Sequence, residues 1–180
     1  MTAQSLQGRL LVATPSLADP NFSHAVVYLL EHSGEGAIGI VVNRPSDVDV
    51  ADALPQWEPL ASRPRVMFVG GPVQPEAVVG LGSSRGPLEH LQEVSEGVAV
   101  VDLRGDPLAL ISDVAEFRLF VGYAGWGEGQ LEVEIGKGGW FVVEARPEDV
   151  FSQDPEDLWV AVLARQGGVW RTISKNPSLN

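Results

Sequence analysis

The stretch that most constrains this chain is Gly8–Pro45, GRLLVATPSLADPNFSHAVVYLLEHSGEGAIGIVVNRP. Three short apolar runs, Leu10–Ala13, Ala25–Leu30 and Ile38–Val42, stand between residues with fixed backbone or polar roles. Runs this short, rich in β-branched residues and bounded by Gly, Pro, Ser and Asn, read as buried strands and not as helices. The second and third are joined at Ser33–Gly36, a hairpin turn, and Asn43-Arg44-Pro45 ends the third. Ser16–Ser23 is a loop with turn chemistry at Asp19-Pro20-Asn21.

The same punctuation continues along the chain. Val66–Val69, Ala77–Leu81, Val98–Leu103, Phe117–Tyr123 and Trp140–Ala145 read as strands, with a polar loop over Gly82–Gly97. Asp47–Leu54 reads as a short helix with acids at its start, stopped by Pro55, and Glu58–Arg65 as loop. Leu108–Ile111 fits either a strand or a helix. Leu131, Val133 and Ile135 alternate as in a strand, yet Leu131 and Ile135 also share a helix face and Gly138-Gly139 fits a helix end, so both readings stay open. Asp154-Pro155-Glu156-Asp157 starts a helix that turns Leu158, Trp159, Val162 and Leu163 inward and stops at Gly167-Gly168. Strands dominate and helices are few, which predicts an α+β fold around a largely antiparallel, strongly bent sheet.

At 180 residues the chain fits one domain spanning 1–180, with room for a smaller lobe within about 83–116 and a frayed tail over 172–180. It contains no Cys, which excludes disulfides, thiol catalysis and Cys-held zinc from this chain alone. The N-terminus lacks the basic-then-apolar pattern of a signal peptide, and no apolar run is long enough to span a membrane. A cytoplasmic protein without membrane contact is expected.

The net charge of −12 is uneven. Residues 89–157 hold 16 of the 24 acids and only Arg104, Arg118, Lys137 and Arg146 as bases, so they carry the whole net charge. An acidic lobe with no basic stripe repels nucleic-acid phosphate, so direct nucleic-acid binding is not expected. It reads as a solvated face, or as a patch for a basic partner.

Several motifs fail on context. Gly82-Ser83-Ser84-Arg85-Gly86 matches the nucleophile-elbow pattern G-x-S-x-G, but only His90 lies downstream and no acid fits between them in the usual chain order. Gly34-Glu35-Gly36-Ala37-Ile38-Gly39 matches G-x-G-x-x-G but runs into a strand, where dinucleotide binding needs a helix. His24 and His32 bracket one strand; eight residues apart they would share a face roughly 26 Å apart at ~3.3 Å per residue, too far to share a metal. Asp47, Asp49 and Asp52 lack the Gly and distal Glu of a calcium loop. No metal site, cofactor or catalytic residue is implied.

Two constellations remain. Thr14, Pro15, Asp19, Asn21 and Phe22 with Asn43 and Arg44 lie at the ends of neighbouring strands, where Arg44 can clamp a carboxylate or phosphate. Tyr123, Gly125 and Trp126 set open backbone beside two aromatics, a surface for a flat ligand or a peptide. The plainer account of both is loop locking and core capping. His32 beside Glu31 reads first as a structural hydrogen-bonding residue; read instead as a general base, with Asn43 and Arg44 as anion stabilisers, it gives an alternative hydrolase reading.

The strings GRLLVATPSLADPNFSHAVVYLLEH, GAIGIVVNRP, VGGPV, LFVGYAGWGEGQLEVEI with Trp140, and DLWVAVL resemble, in order and spacing, the bacterial AlgH/YqgE-like family over roughly Gly8–Gly168. The chain departs from that pattern at Gly82–Glu93, where relatives carry a more apolar, strand-like segment. The resemblance implies a bifurcated sheet curled into a pseudo-barrel with flanking helices, and a helix over Gln130–Gly136. Family members are labelled transcriptional regulators, and the family brings no catalytic residues. Without a helix-turn-helix pattern or a basic helix, regulation would act through an unknown protein or small-molecule partner. The expectation is a non-catalytic binding or regulatory protein, monomeric or weakly dimeric, with direct DNA binding the weakest reading.

Overall fold

Both faces of strand β1 (Leu10–Ala13) are buried, which is why its sequence shows no polar alternation. Leu10 and Val12 enter one hydrophobic cluster and Leu11 and Ala13 a second, on the opposite face. Strand β2 (Val26–Ser33) repeats the pattern, with Val26 and Tyr28 facing one way and Val27 and Leu29 the other. The computed structural model from which this is read describes residues 4–17, 19–84 and 91–168.

The sheet is mostly antiparallel and curled. Its main path runs β10 (Trp140–Val143), β1, β2, β3 (Gly36–Val41), β9 (Val114–Trp126), β6 (Val73–Ser84), β8 (Val98–Val101) and β7 (Gln92–Ser95). It does not close: β10 pairs only with β1 and β7 only with β8. Strand β9 makes it fork. One edge of β9 takes β6 from Val114 to Tyr123. The other edge takes β5 (Val66–Val69) in parallel at Phe120 and Val121, then β3 at Ala124–Trp126. Strand β4 (Pro45–Asp49) hangs on β5. The fork is closely packed: a Cβ on Gly71 would sit 2.1 Å from the Tyr123 carbonyl carbon. Gly122, at φ +72, would meet the Gly71 oxygen at 2.3 Å, so no side chain fits either position.

Helices cover the curl. Helix α5 (Leu158–Arg165), entered through a 3-10 turn at Pro155–Asp157, buries Leu158, Trp159, Val162 and Leu163, the four residues its spacing predicts. Trp159 Nε1 donates to the Ala13 carbonyl at 2.7 Å, tying α5 to the sheet. Helix α3 (Gln130–Gly136) resolves the ambiguous alternation in favour of the helix, with Leu131 and Ile135 on the second cluster. A third cluster, around Trp57, Met67, Phe117 and Leu119, lies under the fork.

Several elements differ from the sequence reading. The helix expected over Asp47–Leu54 is largely strand: Pro45–Asp49 form β4, and α1 covers only Val50–Ala53. Pairing of β4 with Phe68 and Val66 outweighs the acids-first helix signal. A 3-10 turn over Pro55–Leu60 overlaps the start of the loop expected over Glu58–Arg65; of the two readings of Leu108–Ile111 the helix is observed, as α2 (Pro107–Leu110), with Asp106 accepting the Leu108 N–H. Within the loop expected over Gly82–Gly97, β6 runs to Ser84 and β7 covers Gln92–Ser95. Helix α4 (Pro147–Val150) was not foreseen. His24 and His32 do not share a face. A bulge between Leu29 and Glu31 shifts the register, so His32 pairs with Ala37 on the second cluster while His24 packs against Trp159 of the first. The tail over 172–180 and His90 lie outside the described residues.

The least expected feature is Arg118, a charge inside an apolar strand and 1% exposed. Its Nη1 donates to the Val150 and Ser152 carbonyls at 3.2 and 2.9 Å, and its Nη2 to the Arg63 carbonyl at 2.7 Å. The guanidinium lies 4.3 Å over the Phe68 ring. Burial pulls its pKa down to about 10, while the nearby Glu116 charge pushes it back up. Arg118 therefore stitches the segments at 63 and 150–152 to β9. Arg118→Ala is expected to leave a cavity and three unbonded carbonyls, costing about 3–5 kcal/mol of stability in urea unfolding. A loss well under 1 kcal/mol would show that the stitch contributes little.

Candidate functional site

Apart from Thr14 and Tyr123, the sequence-predicted residues separate into three places. Asp19, Asn21, Asn43 and Arg44 come together where β3 hands over to β4. Asp19 Oδ1 accepts the Asn21 N–H at 2.9 Å, closing the turn predicted there. Asn43 Oδ1 accepts the Val26 N–H at 2.9 Å and its Nδ2 donates to the His24 carbonyl at 2.8 Å. Arg44 Nη2 donates to the Ser23 carbonyl at 3.0 Å and Nη1 to the Asn21 carbonyl. Asn43 and Arg44 thus hold the 19–25 loop against the sheet. That loop needs holding, because His24 sits at φ +57, a conformation disfavoured for a residue with a side chain. An open cavity of about 540 Å³ adjoins these residues, lined by Ser23, His24, Asn43, Arg44, Pro45, Val69 and Glu156.

Phe22 and Trp126 belong to a second place, an aromatic knot. The Phe22 ring stacks on Trp126 at 6.1 Å and meets Trp140 edge-on at 5.5 Å. Glu134 of α3 accepts both indole N–H groups on one oxygen, from Trp126 at 3.2 Å and Trp140 at 3.0 Å. Its other oxygen accepts from Gln130 at 3.0 Å. Trp126 is 6% exposed, so most of its ring is spent on the core. Tyr123, three residues away on β9, faces the first hydrophobic cluster while Trp126 faces the second, so the two aromatics do not form one surface. Thr14 is held apart from the Arg44 group: its Oγ1 donates to the Gly138 carbonyl at 2.7 Å and its N–H to the Gly139 carbonyl at 3.0 Å.

His32 is the third place. Its Nδ1 accepts the Leu6 N–H at 2.9 Å, so in the neutral ring the proton is on Nε2, which lies 2.6 Å from Glu132 Oε1. Both ring nitrogens are occupied. Bonding to His32 holds the Glu132 carboxyl below the usual carboxylate range. A cavity of about 450 Å³, lined by Gln7, Glu31, Ser33, Glu35 and Trp126 among others, adjoins the ring. His32 stands at the far end of β2 from Val26, whose N–H is bonded to Asn43. Six strand residues put them about 20 Å apart, so His32 does not work with Asn43 and Arg44.

The failed motifs have plain structural explanations. Gly34–Gly39 is the β2–β3 turn running into β3. Ser84, the nucleophile position of the elbow pattern, pairs with Val114 at the end of β6, and Ser83 Oγ accepts the Glu116 N–H at 2.9 Å. Arg85, Gly86 and His90 lie outside the described residues. Among the described residues no three His, Asp or Glu side chains are grouped to hold a metal ion. Sequence reading missed Arg118, Glu132 and Glu134. Arg118 carried a signal, a lone charge within an apolar run; the two glutamates carried none, because their partners are distant in sequence.

An AlgH-like family model, DUF179, matches residues 10–171. The chain belongs to the AlgH-like family. A UPF0301 protein of Streptomyces coelicolor is 50% identical to it over 98% of this chain and 96% of the relative. A UPF0301 protein of Thermobifida fusca is 41% identical over 100% and 98%. Among solved structures, a Corynebacterium diphtheriae protein superposes with a TM-score of 0.88 at 33% identity, covering 94% of this chain and 92% of that one. The solution structure of AlgH from Pseudomonas aeruginosa gives 0.72 at 34% identity, over 93% and 92%. The α+β, bifurcated and curled sheet expected of an AlgH-like chain is the fold observed.

The His32–Glu132 bond gives a pH dependence. A carboxyl with a lowered folded-state pKa contributes stability above its ordinary pKa, and that contribution is lost as pH falls through the lowered value. In Glu132→Gln, stability is expected to fall less steeply on the acid side than in the parent chain, read as urea midpoints across that range. Parallel pH profiles would show that the bond contributes nothing.

Proposed function

We propose that this AlgH-like protein is a non-catalytic binding protein, acting in the cytoplasm through a small-molecule or protein partner and not by reading DNA. The observation that supports this most directly is how the candidate catalytic groups are employed. His32 spends both ring nitrogens on Leu6 and Glu132, and Asn43 bonds the Val26 N–H of β2 and the His24 carbonyl of the 19–25 loop. A general base needs a free acceptor nitrogen within reach of the substrate's proton, and that nitrogen is turned to the protein's own backbone. The hydrolase alternative would need His32 beside Asn43 and Arg44, and the length of β2 separates them.

Charge supports the partner class. At a net charge of −12 the chain gains little from approaching a phosphate backbone. If the family's regulatory label applies here, the route is through a bound ligand or protein. No described helix is long and apolar enough to cross a membrane.

The test is an amide-shift titration of the labelled protein against a metabolite and nucleotide library, with every hit followed for turnover. Saturable shifts without substrate consumption are expected, and no salt-sensitive shifts with duplex DNA. Turnover abolished by His32→Ala would overturn the reading in favour of an enzyme.

A further inference from the structure

Arg44 is oriented by two hydrogen bonds and neutralised by none. A guanidinium carries five N–H donors. Two go to the Asn21 and Ser23 carbonyls, and the other three find no acceptor among the described residues. No carboxylate forms an ion pair with it there. Arg118 Nε is the one buried, unpartnered side-chain polar atom among those residues, so Arg44 Nε–H, which also lacks an acceptor, reaches solvent. The two carbonyls fix the plane of the fork against the 19–25 loop, at the wall of the cavity lined by Pro45 and Val69. Partial burial pulls the Arg44 pKa below its usual value, and the charge of Asp19 offsets only part of that.

We propose that this cavity is a subsite for a small organic monoanion, its carboxylate or singly charged phosphate diester seated on the free N–H groups of Arg44 and its body against Pro45 and Val69. The inference rests on the binding reading above and narrows it to one site and one ligand chemistry. Two features set the class. A fork already held in plane loses little entropy on bonding a planar or tetrahedral oxyanion, which favours Arg44 as a recognition group. Asp19 already acts on the same guanidinium and offsets part of its charge, so a second negative charge on the ligand finds no cation left for it and is penalised. A single anionic group is accepted there and a polyanion is not.

The probes are sodium acetate and inorganic phosphate, each titrated into the labelled full chain against sodium chloride at matched ionic strength. Amide signals and the Arg44 Nε–H signal are followed. Saturable shifts confined to Ser23, Arg44 and Val69 are expected with at least one anion, and comparison of the two arms identifies which head group the site takes. Arg44→Ala releases the loop as well as the charge, so the deciding variant is Val69→Glu, at a position 40% exposed and outside the loop clamp. It puts a like charge in the cavity and is expected to weaken binding about tenfold. Shifts that stay linear with anion concentration, or saturable shifts that Val69→Glu leaves unchanged, would overturn the subsite. If both anions fail while the library reveals a saturable site elsewhere, the subsite falls and the binding reading stands.

Discussion

The structure depends on β9 serving two sheets at once. Its one edge is filled by β6 over most of its length, and its other edge is shared end to end by β5 and β3. A strand used this way cannot slip by a residue, because its side chains alternate between the first hydrophobic cluster and the other two. The glycines at 71 and 122 let the branches approach at the fork, where any side chain would strike backbone. Arg118 acts at the same strand from inside. A buried cation is costly, and it is tolerated here because three carbonyls and the Phe68 ring take up its field.

Much of this was legible. The double-sided burial of β1 and β2 appears in the sequence as apolar runs without alternation, and α5 announces itself by cap, proline and spacing. What failed were features decided by distant partners. The Asp47–Leu54 segment carries a real local helix preference, and only pairing with β5 makes its first part a strand. The facing of His24 and His32 follows strict period-two counting until one extra residue after Leu29 reverses it, and nothing local to those residues marks the bulge.

The site was legible in part for the same reason. Asn43 and Arg44 stand at a strand end next to a turn-rich loop, so their convergence with Asp19 and Asn21 follows from the hairpin order. Tyr123 and Trp126 looked like one surface because they are close in sequence. Three residues along a strand, however, put side chains on opposite faces. Of the two readings of Trp126, an open aromatic surface and a cap on the core, the structure shows the cap, a buried knot tied by Glu134, whose role depends on α3 folding back over the sheet.

Loop locking and recognition are often treated as competing accounts of a polar cluster, and Arg44 shows why they need not compete. A free arginine on a surface must give up rotamer freedom to hold a ligand, at a cost comparable to the bond it gains. Arg44 has already given up that freedom to hold the 19–25 loop, and the stability of the fold carries the cost. Its remaining donors are therefore fixed in direction before any ligand arrives. Asn43 is different: its Oδ1 and one of its two amide N–H groups bond backbone partners, so it keeps one neutral N–H donor where Arg44 keeps three on a cation. Counting donors against partners ranks Arg44 above Asn43 as the residue left able to use the site that both build.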